Sequence, residues 1–232
     1  MNAGHLTYKL SGTVRYKGAP PTSSRYMKLS NVPRSTTPAD LRRFCAKNKI
    51  ENTESFILNY ERFRPTGTAF ISFTKPDFTP NALKVLHGNT LGGSRIEAEL
   101  VRPHDFNSGG FTRTRGIKGR AEAAERGLFD GTGPNAGLTR NGANVLITGL
   151  PGKSTVDIIR TFVRSYKPAG FEDKGDVIKV ELPHMRMAVT ASFVVRLASV
   201  SEAHRLVRNL HMVYYRSDLF HEKYPLRAHV IY

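Results

Sequence analysis

Gly152-Lys153-Ser154 imitates the end of a phosphate-cradling loop. Such a loop needs a glycine five positions ahead of the Gly-Lys-Ser, and that position holds Ile147. The segment reads instead as a turn between strand and helix, with Lys153 placed to meet a phosphate. His184, His204, His211, His221 and His229 have no metal-ligand spacing, and His221-Glu222 lacks a second histidine four residues on. Cys45 is the single cysteine, which excludes an internal disulfide and a multi-cysteine zinc site. No nucleophile–base set can be argued, so neither an enzyme nor a cofactor is expected. Non-covalent recognition remains. Thr66-Gly67-Thr68-Ala69-Phe70-Ile71-Ser72-Phe73 alternates as a half-buried strand, with Ala69, Ile71 and Phe73 inward. Phe70 then shares the opposite face with Thr66, Thr68 and Ser72, where an aromatic is a stacking platform for bases. The competing reading is a Phe covered by a loop or by a second domain.

Charge narrows the partner. The 232 residues carry 35 Lys and Arg against 19 Asp and Glu, a net +16. That suits a polyanion, nucleic acid before anionic membrane. No apolar run is long enough to span a bilayer, and no small-molecule substrate is indicated. Residues 1–25 hold Lys9, Arg15, Lys17 and Arg25 with no acidic residue, together with several Ser and Thr. This is the composition of a mitochondrial targeting segment. A basic arm that touches phosphate fits equally, since Gly12, Gly18, Pro20 and Pro21 disfavour a long helix.

From Tyr26 the elements become regular. Tyr26-Met27-Lys28-Leu29-Ser30 is a short strand, and Thr36 to Asp40 caps a helix that carries Leu41, Phe44 and Cys45. Ser55 to Tyr60 is a second strand. Arg62 to Pro65 is a basic turn leading into Thr66–Phe73, followed by a helix over Ala82 to Leu86 and a strand over Arg95 to Val101. Residues 103–143 are rich in glycine and basic side chains (Arg113, Arg115, Lys118, Arg120) and read as a linker. The element order then recurs: strands at Val145–Leu150, Val177–Leu182, Ala188–Leu197 and Leu226–Tyr232, with helices opened by Ser154-Thr155-Val156-Asp157 and Ser199-Val200-Ser201-Glu202. Before the last strand, Tyr214, Tyr215, Arg216 and Tyr224 lie in an insertion. They read first as packing for that loop and second as a contact surface.

This repeated order resembles the RNA recognition motif family, and the resemblance covers roughly residues 26–102 and 144–232. In the family, an aromatic octamer lies on the third strand and a hexamer on the first. Thr66–Phe73 matches the octamer at Gly67, Ala69, Phe70, Ile71 and Phe73, with Thr68 at the first stacking position. The hexamer falls on Met27–Val32, with Lys28 where an aromatic usually stacks and Tyr26 on the same face. In the second repeat, Leu146, Ser192 and Val194 occupy the stacking positions and Phe193 points inward. The resemblance implies an α+β fold of two ferredoxin-like βαββαβ domains, residues 26–102 and 144–232. Residues 1–25 form the arm and 103–143 the Gly/Arg-rich linker.

Base stacking is worth roughly 1–3 kcal/mol per base, so a protein short of aromatics must lean on charge. The two repeats each carry +5, the arm +4 and the linker +2. The expected function is RNA binding mainly by charge, through Tyr26, Lys28, Arg62, Arg64, Thr68, Phe70, Arg113, Arg115, Lys118, Arg120 and Lys153. The resemblance and the basic start together imply RNA metabolism or translation in mitochondria, of a fungal RNA-binding or ribosome-associated type. Nuclear or cytoplasmic placement is the alternative. Two other roles stay open: a structural ribonucleoprotein subunit with protein neighbours, as in a mitochondrial ribosome, and a scaffold whose apolar sheet face (Leu146, Val194) docks protein.

Overall fold

The computed structural model describes residues 23–102, 119, 122–124, 126, 129, 131–170, 175–180 and 189–232. Strand β1 (Tyr26–Ser30) sends Met27 and Leu29 into the main core and Tyr26 to the other side of the sheet. Helix α1 (Pro38–Lys47) starts where the chain is pre-set to start. The Thr37 hydroxyl accepts from the Asp40 N–H, the Asp40 carboxylate accepts from the Thr37 N–H, and Pro38 takes the first turn. Those hydrogen bonds from Thr37 hold the Asp40 carboxyl below its usual range. Leu41, Phe44 and Cys45 are the buried stripe of α1, and burial pushes the Cys45 thiol up to about 12, making it a packing residue.

Next come β2 (Thr53–Glu61), β3 (Arg64–Phe73), α2 (Thr79–Leu86), a small hairpin of β4 (Thr90–Leu91) and β5 (Ser94–Arg95), and β6 (Glu97–Val101). The strand expected over Arg95–Val101 is thus divided at Ile96, which is fully buried. The strands pair antiparallel in the order β6-β1-β3-β2.

A fifth strand joins that sheet from the segment read as linker. β7 (Gly133–Pro134) pairs with β2 at Asn59 and Tyr60. The β2–β3 turn explains the attachment. Arg62 and Phe63 both have positive φ, which bulky residues adopt only when their surroundings hold them. Phe63 is buried, donates its N–H to the Gly131 carbonyl at 2.7 Å and meets the Phe129 ring edge-on at 5.6 Å. A Cβ at Gly131 would lie 2.5 Å from the Phe63 ring, so only glycine fits. Ala136 and Leu138 then enter the same core.

The second half contains β8 (Asn144–Pro151), α3 (Val156–Val163), β9 (Val177–Lys179), β10 (Thr190–Arg196), α4 (Val200–Leu210), α5 (Ser217–Phe220) and β11 (Arg227–Ile231). Its sheet order, β11-β8-β10-β9, repeats the first four-strand arrangement, giving the expected α+β architecture twice. Val145, Ile147, Phe193 and Val195 face the helices with Ile159 and Leu206, so Phe193 is inward as expected. Tyr215 is buried against Phe162 and Phe220, and Tyr224 packs edge-on to Phe220. Packing therefore accounts for these two tyrosines of the insertion.

Gly149 sits at φ +94°, where the β8–β10 register shifts, and a Cβ there would lie 2.2 Å from the Pro225 carbonyl oxygen. Gly149→Ala is expected to destabilise the second domain by on the order of 1–3 kcal/mol, read as a lowered urea midpoint. An unchanged midpoint would contradict the bulge.

Leu146 and Val194 point away from the second core and into the first domain's cluster, with Ala136, Leu138, Tyr60 and Ile231. The Tyr60 hydroxyl oxygen accepts from the Tyr232 N–H at 3.0 Å across the same seam. The apolar sheet face expected to dock protein thus docks on its own chain. Burial raises the Tyr60 phenol to about 12, so this bond does not titrate near neutral pH.

Candidate nucleic-acid interface

The β1–β3 register gathers four of the expected residues on one surface. Lys28 lies opposite Phe70, and Tyr26 opposite Ser72. Thr68 is half-buried further along β3. Phe70 does not stand open on this face: it is 6% exposed and packs with Tyr26, Val101 and Ile57 in a cluster of its own. The reason is lateral: Ile57 of β2 lies directly opposite it, and Tyr26 of β1 with Val101 opposite on β6 completes the cluster. Tyr26 is 9% exposed, with the Arg25 guanidinium donating to its hydroxyl at 2.9 Å and lying 5.0 Å over its ring. Lys28 is ion-paired with Glu99 across the β1–β6 pair, so part of its charge is already answered.

The remaining expected residues disperse. Arg62 is exposed in the strained turn, its backbone N–H donating to Thr132 Oγ1 at 3.4 Å. Lys153 is exposed beside a groove of about 750 Å³ that Ile158, Leu219, Phe220 and Arg216 also line. Arg113, Arg115, Lys118 and Arg120 lie outside the described residues. Arg64 goes elsewhere, to the seam between the domains.

That seam contains a cleft of about 590 Å³. Arg34 and Arg64 line it from the first domain, and Arg227, His229, His204 and His211 from the second. Thr148, Tyr60 and Tyr232 add hydroxyls, and no Asp or Glu is among the described residues that line it. His204 Nε2 lies 3.3 Å from the Tyr232 hydroxyl, and His211 Nδ1 lies 2.9 Å from the Ala228 carbonyl oxygen. Burial, then His211, then Arg64 hold His229 below its ordinary 6.5. Sequence reading missed this group because its members come from five separate segments. The one local signal was Arg227 and His229 at i and i+2, on one face of the last strand. Among the described residues no group of three or more His, Cys, Asp or Glu gathers as a metal site, and no helix is long and apolar enough to cross a membrane.

The depressed imidazole makes stability depend on pH. An unfolded His229 protonates near 6.5, and the folded one only at lower pH, so below 6.5 the unfolded chain binds more protons. The stabilisation is complete above 6.5 and is lost as pH falls through the folded value. Melts without polyanion should therefore show a midpoint that drops on acidification, and His229→Gln should flatten the drop. A variant as pH-sensitive as the parent would exclude His229 as the cause.

Residues 28–97 match the family model described as the RNA recognition motif. No curated protein matches the chain. Among solved structures, the chain is similar to Sex-lethal RNA recognition domains 1 and 2 from Drosophila melanogaster. The identity is 18% and the TM-score 0.30, over 89% of this chain and 99% of that one. It is similar to the N-terminal three RNA binding domains of the yeast splicing factor Prp24 at 12% identity and TM-score 0.29, over 89% of this chain and 65% of that one. The RNA15 RRM is 20% identical with a TM-score of 0.34, over 37% of this chain and 99% of that one.

Proposed function

We infer that this tandem RNA recognition motif protein, with the family match over residues 28–97 and the same sheet order repeated in its second half, binds RNA without catalysing a reaction. The observation that carries the reading is the first sheet. In the first sheet, Tyr26, Lys28, Thr68 and Phe70 share one face, on a chain of net charge +16. Two features favour contact led by charge. Lys28 stands where a second aromatic would stack, and Phe70 is packed among apolar neighbours, so phosphate contacts supply most of the affinity.

Affinity for a short single-stranded RNA, measured against salt concentration, tests this. A steep fall of log K with log salt is expected, with a slope of about −0.7 per phosphate neutralised. No binding at low salt to any RNA tried would overturn the reading. The burial of Leu146 and Val194 favours a second reading for one half. The second domain acts as a structural partner of the first, as in a subunit of a larger ribonucleoprotein, rather than as an independent reader. The acid-free stretch 1–25 favours mitochondria. A fluorescent fusion that reached mitochondria equally well without those residues would remove that support.

A further inference from the structure

We propose that the cleft at the domain seam is a phosphate site completed only when the two domains dock, and that an RNA backbone phosphate held there stabilises the docked state. The proposal rests on the RNA-binding reading and adds a place and a consequence to it.

Neither domain owns the site. Arg34 comes from the loop before α1 and Arg64 from the start of β3, whereas Arg227 and His229 come from β11 and His204 and His211 from α4 and its end. Arg34, Arg64 and Arg227 are all exposed, so their guanidinium groups are available to a ligand. Docking concentrates like charge, and Arg64 of one domain disfavours protonation of His229 in the other. Burial and then Asp40 raise the Tyr232 phenol, and the Asp40 carboxylate is itself engaged by Thr37. An anion between the two sets of cations removes their repulsion, and only in the docked state. Phosphate suits the donors: guanidinium groups offer paired N–H to two phosphate oxygens. The volume admits a nucleotide unit rather than a bare ion. By linkage, whatever favours docking must also favour binding at this site, and by the same factor.

Two measurements on the full chain test this. In the first, RNA affinity is compared between the parent and Arg64→Gln/Arg227→Gln, with Arg34→Gln as a second variant. Circular dichroism confirms folding. The double variant should lose about tenfold in affinity, with a salt slope smaller by about 1.4, as expected for two lost phosphate contacts on a single strand. In the second, the His229 imidazole is titrated by NMR with inorganic pyrophosphate and with the RNA. Both should move its protonation to higher pH in the parent and not in the double variant. RNA binding that keeps its affinity and slope in all variants, with His229 unmoved by either ligand, overturns the phosphate site while the RNA reading stands. A parent that binds no RNA overturns both. An acidic peptide shifting His229 while the RNA leaves it unmoved also overturns the proposal, in favour of a protein ligand.

Discussion

Val194→Asp is expected to separate the two domains while leaving each folded. Val194 has no exposed surface and lies with Leu146 and Ile231 on the sheet face that meets Tyr60, Ala136 and Leu138, away from the core beneath the helices. A carboxylate placed there has no partner, and burying it would cost several kcal/mol. The chain can avoid that cost by letting the seam fill with water, because the second domain's own core does not include Val194. Small-angle scattering should show a larger radius of gyration, with far-ultraviolet circular dichroism retained. Phe193→Asp, one position away, is the contrasting control. Its side chain is buried in the second core, so that variant should unfold the domain. Unchanged scattering for Val194→Asp, or unfolding as complete as that of Phe193→Asp, would contradict the docked sheet face.

Phe70→Ala carries the second large effect, and it has two parts. Losing a stacking ring costs roughly 1–3 kcal/mol of RNA affinity, or about 5- to 150-fold. Losing a buried ring also costs stability, up to about 3–5 kcal/mol for a Phe truncated to Ala in a packed site. Since Phe70 is packed with Tyr26, Val101 and Ile57, both losses are expected together. Phe70→Leu separates them, for it keeps most of the apolar volume but has no π-face. If stacking matters, Phe70→Leu should bind RNA about as poorly as Phe70→Ala while melting close to the parent. If Phe70 is packing alone, Phe70→Leu should bind like the parent. The salt slope should survive both substitutions, because neither removes a charge.

The fold was legible wherever local chemistry and periodicity agree. Thr37 with Pro38 and Asp40 announces α1, and Ser199 with Glu202 announces α4, because orphan helix N–H groups must find acceptors within a turn. Alternation placed Ala69, Ile71 and Phe193 in the cores, since side chains one apart on a strand cannot share a face. β7 had no such signal. It is two residues, Gly133–Pro134, in a glycine-rich stretch, and it forms because Phe63 is held under Gly131 after a turn that neither residue advertises.

By itself, then, the sequence determined the two repeated β-α-β-β-α-β units, their caps and core faces, the net charge and the scarcity of stacking aromatics. All of these follow from residues within a few positions of one another or from simple counting. Tertiary structure alone decided that Leu146 and Val194 close against the first domain, that Phe70 is packed rather than open, and that Arg34, Arg64, Arg227 and His229 meet in one cleft. Those outcomes depend on contacts between residues dozens to nearly two hundred positions apart. Whether a surface faces water or another part of the chain is settled only when the domains meet.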